Sequence, residues 1–317
     1  MIDLVCCGAI NWDINLFMDR LPRTGEEVPI RAIERVSGGT AANVAVAAAR
    51  ILGPGRVSFL GSLGGDDVAE RQLEILRHEG VDASGILRAL NEESGQAYIT
   101  IGSKGENEIH TYFGANLSLK PECLSDGERS SIIGEAKVAV IMDPPLDTAE
   151  RLAGMCKEGG KEVIWDPGIY AELGLERLTS TLRNTDYFVL NHLEFESLIG
   201  TSDPREIGAQ LEAIKRGIRA VIKQGSEGCT LSGDGGRTTV HIDSVPLSRM
   251  GMEVVNTVGC GDAFIGAFAS SKVGGMSDME ALRRGCAAGS FKATRRETRG
   301  GPTIQQLEDL LRRWQEL

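Results

Sequence analysis

The run Asn256-Thr257-Val258-Gly259-Cys260-Gly261-Asp262-Ala263-Phe264 holds the densest chemistry in this chain. Val254 and Val255 lead into a short glycine turn, and the spacing of Phe264, Ile265, Ala267 and Phe268 predicts a helix from Asp262 to Lys272. Glycines at 259 and 261 leave main-chain N–H groups uncovered, and a helix N-terminus adds partial positive charge at the same point. There the amides of Gly259, Cys260 and Gly261 can cradle an anion, while the Asp262 carboxylate can take a proton from an incoming hydroxyl. Aspartate is equally an ordinary helix N-cap, and glycine turns between strand and helix are common. The segment alone leaves both readings open.

Other residues weigh on that choice. Asp13 is an acceptor behind a predicted strand, suited to gripping two adjacent hydroxyls, though it could serve only as a turn or cap. Gly38 and Gly39 permit close backbone approach to a small polyol, or merely open a helix. Asn43, one turn further on, would project toward the same place or bond to backbone. Asn191 and Glu194 could hold waters around a Mg²⁺, which keeps several waters and takes few protein carboxylates. They also match a capping box, and both readings can hold together. Lys223 could offset phosphate charge or simply end an exposed strand.

These residues need a scaffold. Ile2–Ile10, Val57–Gly61, Val138–Met142, Glu162–Trp165, Tyr187–Leu190 and Ala220–Lys223 read as strands, with helical patterns between most of them. Alternation of this kind argues for an α/β fold with a mostly parallel sheet covered on both faces. Glu27–Val36 and the pair Gln96–Ser103 and Glu108–Phe113, joined at Lys104-Gly105-Glu106-Asn107, fit a small projecting sheet instead. Helices are expected at Ala41–Leu52, Val68–Glu79, Ala149–Lys157, Leu175–Leu182, Glu194–Ile199, Glu206–Gly217, Met279–Arg295 and Ile304–Leu317. Cys229–Ser232 and Thr238–Ile242 read as a late hairpin. Ligands of open parallel sheets sit at strand carboxyl ends. Asp13, Gly38-Gly39, Asp143, Asp166, Asn191, Gly225 and Gly259–Asp262 all follow predicted strands, so they should gather along one edge.

Bulk properties exclude other classes. Forty of 317 residues are glycine, above the usual level of about 7%, which suits many tight turns. A net charge of −11, from 34 basic and 45 acidic side chains, argues against binding nucleic acid or an anionic membrane. Seven cysteines without a C-x-x-C pair suit a reducing compartment, and Cys260 is not read as a nucleophile. The N-terminus carries Asp3 and lacks a basic leader, and Ala41–Leu52 is too short to span a bilayer; a cytoplasmic protein is expected. There is no G-x-x-x-x-G-K-[ST] loop and no G-x-G-x-x-G after the first strand. His192-x-Glu194 is half of a zinc-deaminase pattern without its P-C-x-x-C partner.

Six segments together carry a resemblance. Gly8-Ala9-Ile10-Asn11-Trp12-Asp13, Gly38-Gly39-Thr40-Ala41-Ala42-Asn43, Gly114-Ala115-Asn116, Asn191-His192-Leu193-Glu194, Lys223-Gln224-Gly225-Ser226-Glu227-Gly228 and the glycine turn stand in the order seen in ribokinase-like, PfkB-type carbohydrate and nucleoside kinases. The chain resembles that family over nearly its whole length. The resemblance implies a three-layer α/β/α fold with a mostly parallel central sheet and a projecting antiparallel β lid. The kinase domain would span 1–12, 37–94 and 115–317, and the lid 13–36 and 95–114.

The same resemblance implies transfer of the γ-phosphoryl group of ATP to a primary hydroxyl of a sugar or nucleoside. Asp262 would be the general base, and Gly259, Cys260 and Gly261 the anion hole. Asn11, Asp13, Gly38, Gly39, Asn43, Asn116 and Asp166 would hold the acceptor. Asn191, Lys223, Gly225, Gly228, Thr257, Gly259 and Gly261 would face the nucleotide, with Mg²⁺ near Asn191 and Glu194 through water. Asn256 stands where many members place an aspartate that helps bind a monovalent cation, and Arg295–Gly301 is longer and more basic than usual, so a potassium requirement is left open. Thr40 replaces a lysine of typical ribokinases. Asp166-Pro167-Gly168 and Asn191–Glu196 look closer to archaeal nucleoside kinases and adenosine-kinase-like members. Open alternatives are a kinase of another small alcohol (phosphosugar, ketodeoxygluconate, inositol or pyridoxal type) and a non-catalytic sugar- or nucleotide-binding regulator. A lid with one apolar face could pair with its copy in a homodimer.

Overall fold

The computed structural model describes residues 1–104 and 106–317. Gly105, within the expected Lys104–Asn107 turn, lies outside the described residues. The strands are β1 (Leu4–Gly8), β2 (Asn11–Met18), β3 (Ile30–Gly38), β4 (Val57–Leu60), β5 (Ser62–Gly64), β6 (Leu87–Ala89) and β7 (Gln96–Ile101). They continue with β8 (Asn107–Tyr112), β9 (Val138–Met142), β10 (Glu162–Asp166), β11 (Tyr187–Asn191), β12 (Arg219–Lys223), β13 (Cys229–Gly233) and β14 (Thr238–Ile242). Eight form one sheet in the order β14-β13-β12-β11-β10-β9-β1-β4. Its pairings from β4 through β12 are parallel, and the β13–β14 hairpin continues it antiparallel.

Period-two alternation sends successive side chains of each strand to opposite faces. Leu4 and Cys6 of β1 join a core with helices Thr40–Leu52 and Cys260–Val273, through Ala41, Ala45, Ile265 and Phe268. Val5 and Cys7 join the opposite core, with Leu152 of helix Leu146–Glu158 and Leu178 of helix Leu175–Leu182. Two apolar faces on one sheet need helices on both, which gives the three layers. Each fully buried aliphatic side chain contributes about 1.5–3 kcal/mol. A third cluster packs Ala263 and Ala267 against Ala287, Ala288, Leu307 and Leu310, and it clamps the helix that begins at the glycine turn.

A second sheet, ordered β3-β2-β7-β8, projects from the body. β2 pairs antiparallel with β3 and parallel with β7, which in turn pairs antiparallel with β8. Its outer strands are exposed along most of their length. β2 was not legible as a strand. Asn11 and Asp13, expected just behind β1, open this separate eight-residue strand, because Asn-Trp-Asp-Ile-Asn mixes polar loop formers into an alternating pattern. Helix Gly127–Glu135 and the short β5–β6 pair were also absent from the sequence reading. Val254 and Val255 are irregular, exposed backbone rather than a strand. Among the described residues, no helix is long and apolar enough to cross a membrane.

Candidate active site

Helix Cys260–Val273 begins behind Gly259, whose φ is 84°. A side chain is doubly excluded there: the backbone is left-handed, and a Cβ would lie 2.3 Å from the Thr298 carbonyl oxygen. The Cys260 N–H donates to the Thr257 carbonyl at 3.2 Å. That amide was expected in the anion hole, and its turn bond engages it elsewhere. The first-turn amides beyond it, at Gly261 and Asp262, are the ones a helix leaves without an intrahelical acceptor.

The Asp262 carboxylate accepts from Asn43 Nδ2 at 2.8 Å. Burial pushes its pKa up to about 6, while the Asn43 bond and the Lys223 charge act the other way. The contact exists because alanine-rich Thr40–Leu52 packs closely against Cys260–Val273, carrying Asn43 one turn inside the first helix. From Asn43 an unbroken network runs toward the projecting sheet. Arg299 Nε donates to Asn43 Oδ1 at 2.8 Å, its Nη2 to the Gly38 carbonyl at 3.0 Å, and its Nη1 to Ser37 Oγ. Ser37 in turn donates to Gln72, whose amide donates to the Asn11 carbonyl at 2.6 Å. Asn116 Nδ2 donates to Asn11 Oδ1 at 2.8 Å, and Asn116 Oδ1 accepts from the Ile10 amide at 3.0 Å.

Asp13 lies over Gly38, with its carboxylate 2.0 Å from where a Cβ would stand, so only glycine fits beneath it. Burial raises the Asp13 pKa to about 7; Arg299 opposes the shift and the Asp262 charge adds to it. The Gly39 carbonyl starts the first helix by accepting from the Asn43 amide at 2.9 Å. Asp143 has φ 56°, unusual for a non-glycine residue. It accepts from Thr40 Oγ1 at 2.8 Å and from the Ile169 amide at 3.2 Å. Burial, then the neighbouring Asp166, raises its pKa to about 7.

Asp166 ends β10 and is buried, receiving the Gly168 amide at 3.0 Å and the Lys223 ammonium at 2.8 Å. Burial acts to lower the Lys223 pKa, but Asp166, Glu194 and Asp262 outweigh it and hold the amine charged. Its Nζ lies 3.7 Å from the position a Cβ of Gly261 would occupy, so this cation stands beside the free amides. Beyond Lys223 opens a cleft of about 900 Å³. Gly225, Gly228, Thr257, Cys260 and Gly261 border it, and Val245, Leu247, Met252 and Phe264 give it apolar walls. Gly259 faces the other way, into a small void shared with Asn43, Asp262 and Arg299.

Asn191 and Glu194 do form the capping box: the Glu194 amide donates to Asn191 Oδ1 at 2.9 Å, and the Asn191 amide to Glu194 Oε2 at 2.7 Å. The second carboxylate oxygen, Oε1, remains outside that pair of bonds. Among the described residues no cluster of three His, Cys, Asp or Glu could hold a metal by itself. One free carboxylate oxygen fits a Mg²⁺ coordinated chiefly by water and phosphate, and would not fit a metal needing a full protein cage.

A profile of the pfkB family carbohydrate kinases matches residues 1–304. The chain belongs to that family. It is 31% identical over 298 residues to the ribokinase of Arabidopsis thaliana, covering 91% of this chain and 75% of that one. It is 29% identical over 317 residues to the ATP-dependent ribose-1-phosphate kinase of Halopiger xanaduensis, covering 98% of each. It is also 29% identical over 274 residues to the bifunctional ribokinase/ribose-5-phosphate isomerase A of Fructilactobacillus sanfranciscensis. That match takes in 85% of this chain and 48% of the longer protein. The structure of Arabidopsis thaliana ribokinase complexed with ribose and ATP aligns with a TM-score of 0.86 at 28% identity, over 98% of this chain and 99% of that one.

As a pfkB-family kinase the chain is a phosphotransferase with an alcohol acceptor, and the ribokinase-like fold expected from the sequence is the fold observed. The sequence reading missed Arg299, Gln72 and Ser37 as members of this network, and it missed the Thr40–Asp143 contact. Arg299 was seen only as part of a basic loop, and its partners Ser37, Gly38 and Asn43 are more than 250 positions away. Gln72 sits in a helix with no motif. The Thr40–Asp143 bond spans 103 positions. Only the basic character of Arg295–Gly301 signalled any of this.

Proposed function

We propose that this kinase phosphorylates a neutral polyol, a pentose or a nucleoside, at a primary hydroxyl, using ATP and Mg²⁺. The observation that carries this is the double position of one helical turn. Its Asp262 carboxylate joins the Asn43–Arg299 network, while its Gly261 borders the 900 Å³ cleft beside Lys223. A base and an anion cradle thus sit on two adjacent residues, Gly261 and Asp262, with an acceptor region on one side and a nucleotide-sized space on the other.

In this reading the acceptor hydroxyl loses its proton to Asp262 as its oxygen bonds to the γ-phosphorus. The bond from that phosphorus to the β,γ-bridging oxygen breaks, and ADP leaves. Asp262, held near pKa 6, is ionised at pH 7.5 and close enough to neutrality to accept the proton. The amides of Gly261 and Asp262, with Gly259 fixing the turn, hold charge on the moving phosphoryl group. Lys223 offsets charge on the donor phosphates. Glu194 and Asn191 would hold a Mg²⁺ through water, and its charge would offset that of the donor phosphates. Asn11, Asp13, Gly38, Gly39, Asn43, Asn116 and Asp166 hold the acceptor, with the lid closing over it to exclude water. Exposed Ile33, Tyr98, Ile109 and Tyr112 on the lid support pairing of two copies, measurable by sedimentation.

Acceptor charge follows from the same residues. Asp13, Asp143, Asp166 and Asp262 outnumber Arg299 and Lys223 around the site, and both cations already have partners. Carboxylates accept from hydroxyls and repel a phosphate. A turnover screen with ATP tests this, using ribose, deoxyribose, nucleosides, ribose 1-phosphate, fructose, ketodeoxygluconate and inositol. Ribose or a nucleoside should give the highest kcat/KM. A preference of about 10-fold or more for the phosphorylated sugar, equivalent to 1.4 kcal/mol, would overturn the neutral-acceptor reading.

A further inference from the structure

Lys292 has 0% of its surface exposed, the one lysine or arginine so buried among the described residues. It occupies the last turn of helix Asp278–Ala293. A basic side chain there ordinarily complements the helix end while its head stays in water. The Lys292 ammonium instead points inward, donating to the carbonyl oxygens of Asn256 at 2.8 Å and Arg295 at 3.4 Å. Burial lowers its pKa, and Cys260, Glu297 and Asp262 oppose that shift only through space. A buried cation without a carboxylate partner is unfavourable unless surrounding dipoles hold it.

Those two carbonyls belong to the segments that build the glycine turn. Asn256 opens it, and Arg295 opens the loop that packs beneath it. Around the ammonium the segments are stitched together. Asn256 Nδ2 donates to the Arg296 carbonyl at 2.7 Å, the Asn256 amide donates to the Ala293 carbonyl at 3.1 Å, and Gly259 lies against the Thr298 carbonyl. Asn256 Oδ1 accepts from the Val258 amide at 3.0 Å, which fixes the next bend. With its carbonyl side drawn to Lys292, the turn presents its later amides toward the cleft.

We propose that Lys292 is a built-in cation behind the anion turn. It holds Asn256–Asp262 in its phosphoryl-binding shape and adds positive charge there, so the enzyme needs no free monovalent cation. Lys292 touches no substrate and is a positioning residue. The proposal rests on the reading of Gly259–Asp262 as the phosphoryl site, and Asp262→Asn measured alongside separates the two.

The experiment is steady-state kinetics in choline, sodium, potassium, ammonium and caesium chlorides at equal ionic strength. The unaltered enzyme, Lys292→Ala, Lys292→Met and Lys292→Arg are compared, with thermal melts of each. The unaltered enzyme should vary by no more than about twofold across the salts. In choline, Lys292→Ala should lose about 10²-fold in kcat, on the scale of one anion-hole donor. Potassium or ammonium entering the vacated space should restore at least about 10-fold of that loss. Lys292→Met fills the space with an apolar chain, so it should be equally slow but unresponsive; Lys292→Arg should keep most activity. Full turnover by Lys292→Ala in choline would overturn the proposal. So would a loss in Lys292→Ala that no cation repairs although its melt is unchanged. If Asp262→Asn also turns over normally, the phosphoryl site itself has been misplaced; if it is inactive, only the role of Lys292 falls.

Discussion

The two sides of the proposed catalytic turn are built in opposite ways. On the side where we place the acceptor, polar groups lock together in one series from Asn116 through Asn11, Gln72, Ser37, Arg299 and Asn43 to Asp262. On the proposed nucleotide side, a cleft of about 900 Å³ is walled by Val245, Leu247, Met252 and Phe264. A shared hydrogen-bond network fixes positions to tenths of an ångström and penalises any acceptor that leaves a member unpaired. An apolar slot tolerates small changes in shape. Selectivity is therefore expected to lie on the acceptor side, with the donor side supplying binding and the phosphate end alone made strict by Gly261 and Lys223.

Substitutions can break that contrast in order of size. Lys223→Met acts where the two sides meet. It should lower kcat by about 10²-fold and raise the ATP KM, with the acceptor KM less affected, as steady-state kinetics will read. Arg299→Ala cuts the network at its centre and should lower kcat/KM for the acceptor by about 10-fold or more while leaving the ATP KM within about twofold. Asp13→Ala removes a single grip and should raise the acceptor KM by about 10-fold; an unchanged value would place the sugar elsewhere.

The smallest effect is on stability, and it too belongs to the acceptor side. Folding raises the pKa of Asp13 and Asp143 to about 7 and of Asp262 to about 6. The folded protein therefore holds more protons than the unfolded chain between about pH 4 and 7. Stability contributed by these groups is lost as pH rises through that window and is level above it. Asp3, Asp66, Asp186 and Asp278 have lowered values and act at lower pH. Asp13→Asn should raise Tm at pH 7.5 by about 2 °C or more, with a smaller gain at pH 5, measured by calorimetry.

What could be read in the sequence divides along the same line. The glycine turn, Asp262, Lys223 and the strand-end loop each lie within a few consecutive residues, so local chemistry exposes them. Unbroken apolar runs such as Val138–Met142 announce the buried parallel sheet for a similar reason, since a continuous hydrophobic stretch is a local pattern. The acceptor network is the reverse. Arg299 reaches Asn43 across 256 positions and Gln72 reaches Asn11 across 61. No spacing rule joins them; only tertiary packing does, of helix Asp67–His78 against the strand opened by Asn11 and of the Arg299 loop against helix Thr40–Leu52. β2 was hidden because its site residues, Asn11 and Asp13, make a strand look like a loop. Cys260 was assigned a free amide because the turn bond to Thr257 depends on a backbone shape that the letters Gly-Cys-Gly do not specify.

The central claim is that one carboxylate takes the acceptor proton beside free helix amides. Turnover of Asp262→Asn with saturating acceptor and MgATP tests it most directly, because asparagine keeps the shape and removes the base. The account predicts a kcat at least about 10²-fold below that of the unaltered enzyme, with both KM values within about threefold. A kcat close to that of the unaltered enzyme would contradict it.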